Sequence, residues 1–98
     1  MAIKKQYLKS KPVCKVTFEV AAKEANNISL VGDFNKWNGE ATPMKKLKNG
    51  KFKVVLPFEK GNTYEFKYII DGNYTNEENA DAFKWNDYAN AENSVLKL

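Results

Sequence analysis

Apolar and polar residues alternate with a period of two over most of this chain, and no stretch offers a convincing helix. From Val13 to Val20, residues Cys14, Val16, Phe18 and Val20 share one face, and Lys15, Thr17 and Glu19 the other. Ile28 and Leu30 alternate with Ser29 and Val31 in the same way, until Gly32 breaks the pattern. Phe52, Val54, Leu56 and Phe58 oppose Lys51, Lys53 and Val55, while Tyr64, Phe66, Tyr68 and Ile70 oppose Glu65 and Lys67. Asn93 to Leu98 closes the chain as a strand with Val95 and Leu98 packed. Each run predicts a half-buried strand. Residues 1–11, rich in lysine, predict an edge strand or an arm laid over the sheet. Pro12 ends it, and residues 12–98 read as one domain. Asn49-Gly50 and Asp71-Gly72 predict two-residue hairpin turns, the second with Asn73-Tyr74-Thr75 as its return limb. Ala21–Asn27 is a polar connection too short for a stable helix. Residues 76–92 read as a loop carrying Phe83, Trp85 and Tyr88. About seven short strands, with turn signals about every eight to twelve residues, predict an all-β sandwich.

Length and charge narrow the picture. A chain of 98 residues can bury a modest core without metal or disulfide help. Its single cysteine, Cys14, lies in an alternating strand and is expected to be buried filler. No apolar run approaches about 18 residues, so no membrane-spanning helix is expected. Met1 to Leu8 shows no apolar signal core, and a reducing cytoplasm is the expected setting. The net charge of +4 is uneven: residues 1–60 hold thirteen lysines against five acids, residues 61–98 three against seven. A basic half invites a nucleic-acid reading, but every cation is lysine, and the arginine fork that clamps phosphate or reads guanine is missing. Lys15, Lys51 and Lys53 also fall on alternate strand positions, where a solvated face is expected. No nucleic-acid or membrane partner is therefore expected.

The chain has no histidine, which removes the commonest general base, the usual triads and the mixed His/Cys zinc sites together. No catalytic residue, metal or cofactor is expected. Asp33, Asp71, Asp81 and Asp87 could in principle pair for glycoside hydrolysis, but all lie where turn capping explains them. The aromatics are placed less ordinarily. Trp37, Tyr74, Trp85 and Tyr88 fall in or beside loops, and each is either a lid tucked against the sandwich or a platform for a ligand. Flat ligands with polar edges suit such platforms, whether bases of single-stranded nucleic acid or the C–H faces of glucose. Asn35, Lys67 and Asn93 could supply hydrogen bonds nearby. Residue types alone leave both ligands open.

Gly32-Asp33-Phe34-Asn35-Lys36-Trp37-Asn38 resembles the GDFNxWN signature of the α-glucan-binding early-set domains, the family 48 carbohydrate-binding modules. These precede the catalytic barrel in isoamylases and glycogen-branching enzymes and occur in the β subunit of AMP-activated protein kinase. Tyr64-Glu65-Phe66-Lys67-Tyr68-Ile69-Ile70-Asp71-Gly72 is similar to the family's YxFKYxIDG, and Glu92-Asn93-Ser94-Val95-Leu96 to its closing NSVV-type strand. Three signatures in order, over about residues 12–98, make the resemblance specific. It implies an immunoglobulin-like early-set β-sandwich with a shallow site for an α-1,4-linked glucan such as glycogen or a maltodextrin. Trp37 matches the first stacking tryptophan, and Lys67 and Asn93 match residues that bond sugar hydroxyls. Tyr74 stands where binding members have a second tryptophan and would stack with less area. Ala89-Asn90-Ala91-Glu92 departs from the sugar-wrapping loop of the kinase subunits, and Trp85 is a further candidate if its ring turns towards the site. The resemblance thus implies a non-catalytic glucan-binding module. The alternative it leaves is an interaction or regulatory module with weakened sugar binding, docked to a glucan-metabolising enzyme or a kinase subunit.

Overall fold

Burying one face of each alternating strand requires a second layer, and the chain supplies it. The computed structural model describes residues 1–98 as nine strands and no helix: β1 Ala2–Tyr7, β2 Val13–Ala21, β3 Ile28–Gly32, β4 Lys45–Lys46, β5 Lys51–Glu59, β6 Thr63–Ile70, β7 Asn73–Thr75, β8 Ala82–Asn86 and β9 Ala91–Lys97. One antiparallel sheet runs β1-β2-β5-β4 and the other β3-β6-β9-β8, with β7 added to β6. The predicted inner faces meet between them. Cys14, Val16, Phe18 and Val20 of β2, with Phe52 and Phe58 of β5, pack on Ile28, Leu30, Phe66, Tyr68 and Leu96 of the opposite sheet. Phe18 meets Phe66 edge-on across the layers, with ring centroids 5.4 Å apart. A phenylalanine buried this fully stabilises the fold by about 2–3 kcal/mol. In the closing strand Leu96 points into this core, whereas Val95 is buried on the outer face.

Two expectations change. The Asn49-Gly50 hairpin is not a two-residue turn. Beyond the Lys46–Phe52 pair the Leu47 N–H donates to Lys51 O (2.7 Å) and the Gly50 N–H to Leu47 O (3.0 Å), leaving residues 48–50 as a three-residue loop with Gly50 in the left-handed region at φ +86°. Asn49 keeps negative φ and instead accepts from the Lys51 N–H at 3.0 Å. Asp71-Gly72 does form the predicted turn, with φ +47° and +87°. The second change is in 76–92, read as a loop. Residues 82–86 form β8, paired with β9 from Ala82↔Val95 to Asn86↔Ala91. An edge strand buries neither face well, so Phe83 and Trp85 stay half exposed, and their alternation with Lys84 and Asn86 is too short to stand out among the loop residues around it.

What holds 76–81 down is a buried polar network. Glu77 is fully buried; its Oε1 accepts from the Tyr68 hydroxyl (2.9 Å) and its Oε2 from the Asn79 N–H (3.0 Å). The Glu77 N–H donates to Ser94 Oγ, which donates to Asn76 Oδ1, each at 2.9 Å. Burial first, then the Glu77 charge and hydrogen bond, push the Tyr68 phenol far above its usual pKa. At the other end, Lys5 of β1 donates to Asp81 Oδ2 (2.6 Å) and to Lys97 O (2.9 Å), fastening one sheet to the other. Burial raises the Asp81 pKa, but the bond from Lys5, the Lys97 N–H and the two lysine charges outweigh it, so the carboxyl ends below its ordinary value.

Tyr68→Phe strands a buried carboxylate oxygen without its donor. A loss of about 2 kcal/mol is expected from the shift in urea midpoint. Because the folded Asp81 pKa is depressed, its contribution is complete above the ordinary aspartate value near 4 and disappears as pH falls through the lower folded value. Asp81→Asn should therefore cost about 1 kcal/mol at neutral pH and flatten the acid limb of a stability-against-pH curve.

Candidate functional site

The site grows from the outer face of the second sheet. Alternation that turns Phe66 and Tyr68 inward obliges Glu65, Lys67 and Ile69 of β6 outward. Register then sets their neighbours on that face: Val31 opposite Lys67 on β3, and Tyr74 opposite Ile69 on β7. The pairing of Phe66 with Ser94 brings Asn93 of β9 alongside Lys67.

The segment after Gly32 folds back over this face and carries Trp37. Gly32 is needed for close approach, since a Cβ there would lie 2.5 Å from Glu65 O and run into the Phe34 ring. Asp33 clasps the neighbouring strand: its N–H donates to Glu65 O and its Oδ2 accepts from the Glu65 N–H, both at 3.1 Å. Asn35 is the internal staple. Its Oδ1 accepts from the Gly32 N–H (3.0 Å), and its Nδ2 donates to Leu30 O (2.9 Å) and Thr42 Oγ1 (3.0 Å). The expectation that Asn35 serves a ligand is corrected here, because its amide is consumed in holding the loop. Lys36 and Trp37 both take left-handed backbone at φ 57°, a strained state for a bulky residue that the surrounding bonds enforce. The Trp37 N–H closes the turn on Gly32 O at 2.9 Å. Val31 faces outward yet is fully buried, as expected beneath this loop.

Trp37, Lys67, Tyr74 and Asn93 converge on one cleft of about 670 Å³, joined by Asn86, Tyr88, Ala89 and Ala91. Lys67 is only 8% exposed, and its ammonium makes no hydrogen bond or ion pair within the chain. Asn93 is buried; its Nδ2 donates to Glu65 Oε1 at 3.1 Å, and its Oδ1 has no partner in the chain. Asn86 is the reverse, with its Oδ1 accepting from the Tyr88 and Ala89 N–H groups and its Nδ2 free. Tyr74 is 62% and Tyr88 fully exposed. Tyr88 stands in the loop between β8 and β9, where Asn90 takes left-handed backbone, and it completes the cleft as a third ring.

Trp85 is not part of that cleft. It lines an adjoining hollow of about 350 Å³ with Asp33, Glu65, Lys84 and Asp87, which shares Trp37, Asn86, Tyr88 and Asn93 with the first. Its indole N–H donates to Asp87 Oδ1 at 2.7 Å. All four candidate aspartates have structural partners: Asp33 and Asp87 as described, Asp81 on Lys5, and Asp71 accepting from the Asn26 and Asn27 N–H groups at 3.0 and 2.8 Å. Tyr88, one of the loop aromatics singled out in the sequence, does line the cleft, whereas Asn86 at the end of β8 was missed because a lone amide carries no signal of its own.

The profile of the family described as Carbohydrate-binding module 48 (Isoamylase N-terminal domain) matches residues 6–88. The chain is similar to the 1,4-alpha-glucan branching enzyme GlgB of Pseudoalteromonas atlantica, with 36% identity over 66 residues, covering 67% of this chain and 9% of that enzyme. The enzymes of the same name from Photobacterium profundum and a Bradyrhizobium species are 35% identical over 57 residues and 42% identical over 55. These matches cover 57% and 55% of this chain and 8% of each enzyme. The chain thus spans less than a tenth of the length of these curated relatives.

Asn35→Ala removes three hydrogen bonds and should lower stability by about 2 kcal/mol in urea titration. Trp37 emission should shift red well below the global transition as the loop loosens.

Proposed function

The chain belongs to the carbohydrate-binding module 48 family, and from that premise we propose that it is a non-catalytic module for α-1,4-linked glucan such as glycogen or a maltodextrin. One observation carries the reading: Trp37, Lys67, Tyr74 and Asn93, drawn from a loop and three strands, line a single cleft. Trp37 and Tyr74 would stack on the C–H faces of glucose units, with Tyr88 as a further ring. Lys67 would donate to sugar hydroxyls, and Asn93 would accept from one through Oδ1. The ring at Tyr74 gives less stacking area than an indole. Displacing water from well-hydrated hydroxyls also consumes much of the gain, so an affinity of about 0.1–1 mM is expected. The branching enzymes similar to this chain act on 1,4-alpha-glucan by name, which agrees with the ligand class.

A second reading has its own observation. Phe83 and Trp85 are 46% and 55% exposed at an edge strand whose outer side has no neighbour in the sheet. That edge suits docking to a glucan-metabolising enzyme or kinase subunit, the arrangement of an interaction module.

Titration with maltoheptaose, followed by amide chemical shifts, tests the first reading. Shifts should cluster at Trp37, Lys67, Tyr74, Tyr88 and Asn93, and Trp37→Ala should weaken binding about tenfold through loss of one stacked ring. A flat titration at saturating sugar overturns it.

A further inference from the structure

The charges around the cleft are sorted. Of the eight residues lining it, Lys67 is the only charged one, and no carboxylate is among them. The three carboxylates of this surface, Asp33, Glu65 and Asp87, line the adjoining hollow instead. Glu65, which comes nearest by sequence, is held by Asn93 and faces Lys84 Nζ at 3.7 Å. Asp33 and Asp87 are held by the Glu65 N–H and the Trp85 indole. The lysine thus sits more than nine-tenths buried in a pocket with no counter-charge.

A neutral sugar laid over Lys67 would take that ammonium further from water and return only hydroxyl hydrogen bonds, an incomplete compensation for a charge. An anionic group would complete the site. Lys67 offers three N–H donors, and the free Asn86 Nδ2 adds two more to the same cleft. A phosphomonoester offers three acceptor oxygens and close to two negative charges at neutral pH. The rings of Trp37, Tyr74 and Tyr88 remain to seat the glucose that carries it.

We infer that this cleft prefers a glucan bearing a phosphate ester to the unmodified chain, with Lys67 as the residue that reads the phosphate. The inference rests on the glucan-binding reading of the same cleft and adds the ligand's charge to it. Discrimination of about tenfold at low salt, equivalent to about 1.4 kcal/mol, is expected from one charge-assisted contact.

The experiment compares amide-shift titrations with maltoheptaose and with maltoheptaose carrying one phosphate on a glucose 6-hydroxyl. Both are run on the parent and on Lys67→Gln, at about 0.05 and 0.5 M salt. The phosphorylated chain should bind the parent about tenfold tighter at the lower salt and lose most of that advantage at the higher. In Lys67→Gln the ratio of the two affinities should fall to about one; the salt series on the parent stands even if that variant folds poorly. Equal binding of both sugars by the parent overturns the inference and leaves the glucan reading intact. A preference that survives Lys67→Gln, with shifts at Lys15, Lys51 and Lys53, also overturns it and places phosphate on the lysine-rich outer sheet. If neither sugar moves the cleft resonances, the glucan reading falls and this inference with it.

Discussion

The period of two along β6 is the constraint on which the rest depends. That strand lies between β3 on one side and β9 and β7 on the other, so it is fixed from both edges. Its inner face supplies Phe66 and Tyr68 to the core, with Phe66 against Phe18 of the opposite sheet. Once these rings are buried, Lys67 has no choice of side. A slip of one residue would put the ammonium into the core and two rings into water, so the energy that packs the sandwich also places the cation of the cleft.

The cleft spends some of that stability. Lys36 and Trp37 hold left-handed backbone that favours glycine, and Lys67 and Asn93 are buried polar groups on an outer face. The loop and Asn93 are fixed by their neighbours, while the Lys67 ammonium has no partner in the chain. Asn35 ties the loop to Leu30 and Thr42, Asp33 clasps Glu65, and Glu65 in turn orients Asn93. Strained backbone persists here because bonds from the scaffold hold it. The Trp37 backbone is thereby fixed, whereas Tyr74 and Tyr88 stand exposed.

The same bonds divide the surface electrically. Asn93 donates to Glu65 and lines both hollows, so one residue lies between the acidic hollow and the cationic cleft. The lysine-rich half of the chain contributes little to this, because Lys15, Lys51 and Lys53 belong to strands of the opposite sheet.

Alternation alone determined the all-β sandwich, the inner faces of β2, β3, β5 and β6, and the Asp71-Gly72 turn, because burial and local turn chemistry act over neighbours in the chain. The signatures around Trp37, Tyr64–Gly72 and Asn93 likewise brought the cleft residues to attention before any fold was known. Other features were decided only by contacts between distant residues. β8 exists because β9 pairs with it, Asn35 is a staple because Thr42 and Leu30 come to meet it, and Trp85 lies outside the cleft with its indole bound to Asp87. Glu77 looks like one more loop acid until Tyr68 and Ser94 close over it. A polar side chain carries no period in sequence, so whether it bonds its own chain or waits for a ligand is settled by which partners the tertiary fold places within about 3 Å.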